Sequence, residues 1–375
     1  MNLLCCFSSS NTNATRNAAG PAGTSTEESP PTVASAQPSS LESTRTPGTV
    51  PRAKNVAGNS SSQAPNTEPN INNIPTQIFT FQELRAATKE FRKNRLIGEG
   101  YYGKVYKGIL GKDGPDVAIK DLNLRGVHEK NQFLVEVLTL SNIRHANVIN
   151  LVGYCADDNH RLLVCEQTAR SSLDNYLFDL AWQHPLDWFT RMRIAYDAAK
   201  GLEYLHNKFN PPLTYRELRT SSILLDENFN PKLSAFGLSN LAAPVMDTNG
   251  NCVPSYAASA QWRVEADVFN FGVILLELIS GRRFIDRSKP SHEQHILNWA
   301  RPMFRDKRRH PELIDHLIKD DYPSLALNRA VDVAAMCLQQ IASYRPIMTD
   351  VVLSFTGIMA AGNEITLSPS SSTSE

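Results

Sequence analysis

The 375-residue sequence is poor in the features that most quickly place a chain. It has no apolar run of about 18 residues, the least that a membrane-spanning helix needs. Its opening, MNLLCCF, has too short an apolar stretch and no basic flank for a secretory signal. It has no excess of either charge, with Lys+Arg and Asp+Glu both at 38, so no global field draws it to nucleic acid or to an anionic membrane. Its 6 cysteines (Cys5, Cys6, Cys155, Cys165, Cys252, Cys337) show no metal-ligand spacing. Without a secretory context they read as reduced, intracellular thiols. No internal repeat is visible. Residues 8–75 have almost no aromatics and are dominated by Ser, Thr, Asn, Pro, Ala and Gly. Such a segment cannot bury enough apolar surface to offset its ordering entropy, and disorder is expected there.

Composition changes near residue 76. From IFTFQELRAAT onward apolar periodicity runs to about residue 360, and the end, LSPSSSTSE, again reads as a tail. The periodic part, about 280 residues, exceeds what one core usually serves, so two lobes are expected. Strand-like segments come first: RLIGEGYYGKVYKGIL (95–110), DVAIKDL, NVINLVGYC and RLLVCE. Among them NQFLVEVLTLSNI carries Phe133, Val137, Leu140 and Ile143 at helical spacing. Beyond residue 170 the pattern is mostly helical, most clearly in WFTRMRIAYDAAKGLEYLH and EADVFNFGVILLELISG.

GEGYYG is a weak signal alone, since a glycine-containing hairpin reads the same way. A dinucleotide fingerprint needs a strand before it and a helix after it. KVYKGIL alternates like a strand instead. What fits is a hairpin over a nucleotide, with Gly98, Gly100 and Gly103 letting backbone N–H groups approach phosphates and Val105 over the base. Lys120 ends a strand about 15 residues later, where an ammonium could meet the α- and β-phosphates. Glu136, on the amphipathic helix that follows, is the best-placed carboxylate to pair with it. Val135 and Val137 flank it on a helix that must dock.

Together IFTFQELRAATKEF, LIGEGYYGKVYKG, VAIK, RHANVINLVGYC, RLLVCE, AAKGLEYLH, SSILLD, DVFNFGVILLELISGR and SYRPIMTDVV resemble the plant receptor-like cytoplasmic Ser/Thr kinases, over about residues 76–357. The resemblance implies an α+β, bilobal protein-kinase fold, with a β-rich N-lobe carrying one long helix, a helical C-lobe and disordered tails. It divides the chain into a tail over 1–75, a juxta-kinase segment over 76–91, an N-lobe over 92–167, a C-lobe over 168–360 and a second tail over 361–375. It implies ATP between the lobes, framed by Ile97, Gly98, Glu99, Gly100, Gly103, Val105, Ala118, Lys120, Cys165, Glu166, Thr168 and Leu224, with Cys165 at the gatekeeper position. It implies signalling beneath cell-surface receptors, often immune ones, with receptor kinases or other signalling proteins as partners and no nucleic acid.

The departures from the family pattern concentrate where chemistry happens. The catalytic-loop triplet reads Tyr215-Arg216-Glu217, with glutamate for the aspartate base. The downstream lysine is Arg219, and the metal-binding asparagine is Ser222. The Asp-Phe-Gly aspartate is Ala235. The Ala-Pro-Glu position reads Val253-Pro254-Ser255, and the activation loop around VMDTNG looks short. Metal stabilisation of the phosphates is worth several kcal/mol, at about 1.36 kcal/mol per tenfold in rate. A displaced base can cost about 10²–10⁴ more. A protein inactive or severely impaired as a kinase is expected, with weak, metal-independent ATP binding; a weakly active kinase using Glu217 as base is the alternative. Leu140, Phe236 and Tyr215 match the apolar spine joining the lobes, with Val152 as its fourth member. Asp267 matches the helix aspartate that fixes the catalytic-loop backbone. Arg345, facing serine at 255, is a buried charge that must find another acid or water. The start is not Met-Gly, which excludes myristoylation. Cys5 and Cys6 are palmitoylation candidates, or ordinary thiols. The expected location is the cytoplasmic face of the plasma membrane, or else the cytosol.

Overall fold

The computed structural model describes residues 74–100, 103–122, 127–157, 160–179, 185–210, 212–215, 218–234, 245–246, 252–253, 264–318 and 321–363. Cys5, Cys6 and nearly all of the expected tails, together with Glu217, Ala235, Phe236, Pro254 and Ser255, lie outside them; residues 361–363, expected in the second tail, are instead helical. No described helix is long and apolar enough to cross a membrane.

A six-stranded sheet and one long helix make the N-lobe. The strands are β1 (Gln77–Ile78), β2 (Leu96–Gly100), β3 (Gly103–Ile109), β4 (Asp116–Leu122), β5 (Leu151–Cys155) and β6 (Leu162–Glu166), in the order β1-β5-β6-β4-β3-β2. All pairings are antiparallel except β1 with β5. Successive side chains of β3 and β4 go to opposite faces, and in β4 Val117, Ala118, Ile119 and Lys120 are all buried, so both faces of that strand are covered. Helix α2 (Val127–Ser141) docks through Phe133, Val137 and Leu140, each at most 2% exposed. Val135 departs from expectation, because one step along a helix turns it about 100° away, and it is exposed.

The C-lobe is helical. Its described helices are α3 (Leu173–Phe178), α4 (Trp188–Lys208), α5 (Val264–Ser280), α6 (Ile296–Ala300), α7 (Ser324–Cys337) and α8 (Met348–Asn363). Two short hairpins accompany them, β7 (Ile223–Leu225) with β8 (Pro231–Leu233), and β9 (Val245–Met246) with β10 (Cys252–Val253). Asp187 caps α4, its Oδ1 accepting from Thr190 N at 2.7 Å. In α5, Phe271, Ile274, Leu275, Leu276, Leu278 and Ile279 are buried nearly all round, so the helix is the lobe's axis. Each such side chain contributes about 1.5–3 kcal/mol of burial. Arg191 of α4 crosses to this axis: Nη1 donates to Leu278 O at 2.9 Å and Nη2 pairs with buried Asp315 at 2.7 Å.

The juxta-kinase segment is part of the N-lobe fold. After β1, Thr80 forms a capping box with Glu83 and starts α1 (Phe81–Ala87). Phe79, Leu84 and Ala87 join Val117, Ile119, Leu162 and Val164 in a cluster separate from the main core. A turn then joins α1 to β2 through Lys89, Glu90 and Phe91, whose φ values are 52, 66 and 50°. Three successive non-glycine residues in left-handed backbone cost about 1–2 kcal/mol each.

Candidate functional site

Strands β2 and β3 form the glycine hairpin, with Gly98 opposite Val105 and Gly100 opposite Gly103. Register slips between Leu96 and Gly98, leaving Ile97 in an irregularity of the strand, half-buried. Glu99 and Lys104 pair at 3.4 Å on the exposed side. Gly103 has φ 130°, and a Cβ there would overlap the Asp121 carbonyl, so only glycine fits.

Sheet pairing brings the pocket residues together. Val105 lies opposite Lys120, and Ala118 opposite Cys165. Lys120 is only 3% exposed and Glu136 only 5%. Burial lowers the Lys120 pKa; the Glu136 carboxylate and the Cys165 thiol oppose that shift. The cation is thus placed in a low-dielectric pocket with its carboxylate close enough to act on it. Burial pushes the Cys165 thiol up to about 12, so it is an inert apolar wall of the pocket.

Cys165 leads into the connection between the lobes. The Glu166 carboxylate is not free for a ligand: Oε1 accepts from Asn150 N (2.9 Å), Asn150 Nδ2 (3.1 Å) and Lys232 Nζ (3.0 Å). It braces the connection against β8. Thr168 is buried, its Oγ1 donating to Arg170 O at 3.1 Å. Leu224, half-buried in β7, pairs with Lys232 and bridges to Ser172.

The catalytic segment is held by backbone contacts. Asp267 of α5, fully buried, accepts from Tyr215 N at 2.6 Å and lies 3.1 Å from His206 Nε2. This is the backbone anchor expected of it. Tyr215 OH donates to the Ser234 carbonyl, and Ser234 N donates to Ser222 O at 2.9 Å. The residue before position 235 is therefore tied to position 222. Arg219 is exposed, in extended backbone. Leu140 and Tyr215 share the main core. Val152 does not join them. It packs in the cluster around Phe79, and its neighbour Leu151 takes the core position, because a register shift between Leu151 and Gly153 breaks the alternation.

Arg345 is also corrected. It is half-buried, and among the described residues its partners are carbonyls: Nε to Gln339 O (2.8 Å), Nη1 to Glu265 O (2.8 Å) and Nη2 to Gln340 O (3.3 Å). Its guanidinium lies 4.8 Å from the Phe269 ring centre. Two features escaped the sequence reading: the Glu166 brace, and Glu277 of α5. Burial pushes the Glu277 carboxyl up to about 8, against a hydrogen bond from Phe284 N at 2.8 Å. Glu277 was signalled by a carboxylate inside the apolar run GVILLELIS.

Two positions that match the family's metal ligands carry other side chains. Ser222 offers one neutral hydroxyl and Ala235 no side-chain oxygen. No group of three His, Cys, Asp or Glu side chains suited to a metal occurs among the described residues. The apolar walls and Lys120 do fit a nucleotide.

Comparison with known proteins bears on the whole arrangement. Residues 91–354 match the protein tyrosine and serine/threonine kinase family. The chain is 51% identical over 304 residues to the probable serine/threonine-protein kinase PBL26 of Arabidopsis thaliana, covering 78% of this chain and 73% of that protein. It is 45% identical over 300 residues to the receptor-like kinase LIP1 of the same plant, covering 77% of this chain and 47% of that protein. A solved apo pseudokinase shares the fold, with a TM-score of 0.61 and 24% identity, covering 78% of this chain and 98% of that one.

Proposed function

The chain belongs to the protein tyrosine and serine/threonine kinase family, and we propose that it is a degenerate member, a pseudokinase that works by binding rather than by phosphoryl transfer. The observation that carries this reading is the pair of metal-ligand positions, Ala235 and Ser222. A loop aligned through Ser234 and Ser222 but lacking metal donors can position phosphates without neutralising them. Val105, Ala118, Leu224 and Lys120 then hold ATP weakly and without Mg²⁺. The protein acts as scaffold, allosteric partner or decoy next to receptor kinases, immune receptors included. Lipid on Cys5 and Cys6 holds it to the cytoplasmic face of the plasma membrane. Two acyl chains anchor stably where one is marginal, at about 0.8 kcal/mol per buried CH₂.

A second reading, a weakly active Ser/Thr kinase with Glu217 as base, is favoured by two facts. Lys120 and Glu136 remain in place, and the relative PBL26 is described as a serine/threonine-protein kinase. Purified full-length protein is incubated with labelled ATP and Mg²⁺ or Mn²⁺, beside Lys120→Ala. The expected result is no transfer above the variant, with ATP raising Tm equally in EDTA. Transfer abolished by Lys120→Ala, or stabilisation that needs Mg²⁺, selects the second reading. Cys5→Ser with Cys6→Ser is expected to move the protein to the soluble fraction; unchanged pelleting would mean that a protein partner, not lipid, holds it.

A further inference from the structure

Residues 77–88 form an arm, and we propose that it exchanges between two copies of this chain, each arm closing onto the β5 edge of the other. The inference does not depend on the state of the nucleotide cleft.

The arm's contacts are ones that a second copy supplies unchanged. β1 adds to β5 through only two register pairs, Gln77 with Gly153 and Ile78 with Tyr154. Phe79 then closes over Gly153, where a Cβ would overlap both its ring and Gln77 O. The notch is shaped to this one ring. Phe81 N donates to Asp157 Oδ2 at 2.7 Å, and its ring stacks on His160 with centres 3.5 Å apart. Leu84 and Ala87 finish the docking in the cluster of Val117, Ile119, Leu162 and Val164.

The connection to the rest of the chain has the opposite character. It is short, and Lys89, Glu90 and Phe91 hold left-handed backbone in succession. Its hydrogen bonds are local: Lys89 N to Ala86 O, Glu90 N to Arg85 O, Phe91 N to Thr88 Oγ1, and the ion pair of Arg85 with Glu90; the Phe91 ring packs on Tyr106 of β3. Opening it to extended backbone gives up those bonds and relieves the strained φ values. The arm then regains every docking contact on a neighbour. A short hinge under strain invites this exchange, and two-fold symmetry closes it as a dimer, since arm and notch are on the same chain. The occupant of the notch is therefore a second copy of the same chain.

The full chain is refolded over a range of concentrations and sized by light scattering. A concentration-dependent dimer is expected. Lys89→Gly, which relaxes the closed turn and keeps the Arg85–Glu90 ion pair, should raise the dimer's dissociation constant by about tenfold or more. Glu90→Pro, which cannot adopt positive φ, should lower it. Complementation identifies the surface. Phe79→Arg destroys the arm but keeps the notch; Gly153→Val fills the notch but keeps the arm, with Gly153→Ala in its place if valine prevents folding. Each alone should be monomeric, and an equimolar mixture should give a heterodimer. A parent and a Glu90→Pro variant that are both monomeric at every concentration would overturn the proposal. So would a dimer formed equally well by Phe79→Arg alone.

Discussion

The two sides of the cleft differ in what their side chains have to do. On the N-lobe side, Val105, Ala118, Lys120 and Cys165 sit on paired strands, each opposite a partner that its own side chain helps to pack. On the C-lobe side the backbone is held as firmly, by Asp267, Tyr215 and Ser234. The side chains at 217, 222 and 235 nevertheless depart from the family's chemistry. Residues that pack as well as bind match the family pattern; those at 217, 222 and 235 do not. A frame can persist without its chemistry because the two rest on different atoms.

The sharpest test of that separation lies in the frame. Arg191→Met leaves Asp315 buried without its cation, and should cost about 3–5 kcal/mol. Glu217→Asp or Ala235→Asp should shift stability by less than about 1 kcal/mol. Urea unfolding measures both. Comparable losses at the two kinds of position would break the comparison.

The next test restores the chemistry. Ala235→Asp alone should recover little, because Ser222 and Glu217 remain. Adding Ser222→Asn and Glu217→Asp should raise autophosphorylation by about 10² or more, since base placement alone is worth that. An unaltered rate in the triple variant would mean that the cleft frame is itself unfit for catalysis.

A smaller effect tests the floor of the lobe through pH. The Glu277 carboxyl titrates near 4.5 in an unfolded chain, and burial raises it to about 8 in the fold. Its folded pKa lies above the unfolded one. The stability it lends is full below about pH 4.5 and is lost as pH rises through about 8. Glu277→Gln keeps an acceptor for Phe284 N and should flatten that decline. Tm at pH 5 and pH 8 for both proteins shows it; parallel declines would place the titrating group elsewhere.

What could be read in the sequence follows from how local each signal is. VAIK lies in a strand paired without a break, so the placement of Ala118 and Lys120 was legible. In α5, apolar residues on every face mark a buried helix. Val152 was misread because the irregularity in β5 is invisible to a period-two count. The Glu166 brace joins residues 16 and 66 positions apart, and nothing near Glu166 announces either partner. The arm was legible as a family segment, but not as a strand added in parallel at a sheet edge. Two residues of β1 give no periodicity to count.

The smallest predicted effect concerns Arg345, whose hydrogen bonds among the described residues go to carbonyls while the Glu265 carboxylate acts on it from further off. Arg345 resembles Arg191 in reaching carbonyls from two other segments. Arg191 adds a buried aspartate, and Arg345 adds the face of Phe269. The guanidinium spans Gln339, Gln340 and Glu265 because its donors form a fixed planar fork. An ammonium donates from one point and cannot reach all three. Arg345→Lys should therefore cost about 1 kcal/mol, the net worth of an ordinary hydrogen bond or two at a half-buried site. Lysine keeps the charge on which the Glu265 carboxylate acts, and the carbonyl hydrogen bonds have no partner charge to screen, so salt should leave that loss nearly unchanged. Urea unfolding at low and high salt measures it. A loss near the 3–5 kcal/mol of a broken buried pair, or one that shrinks with salt, would show that an ion pair rather than the carbonyls holds Arg345.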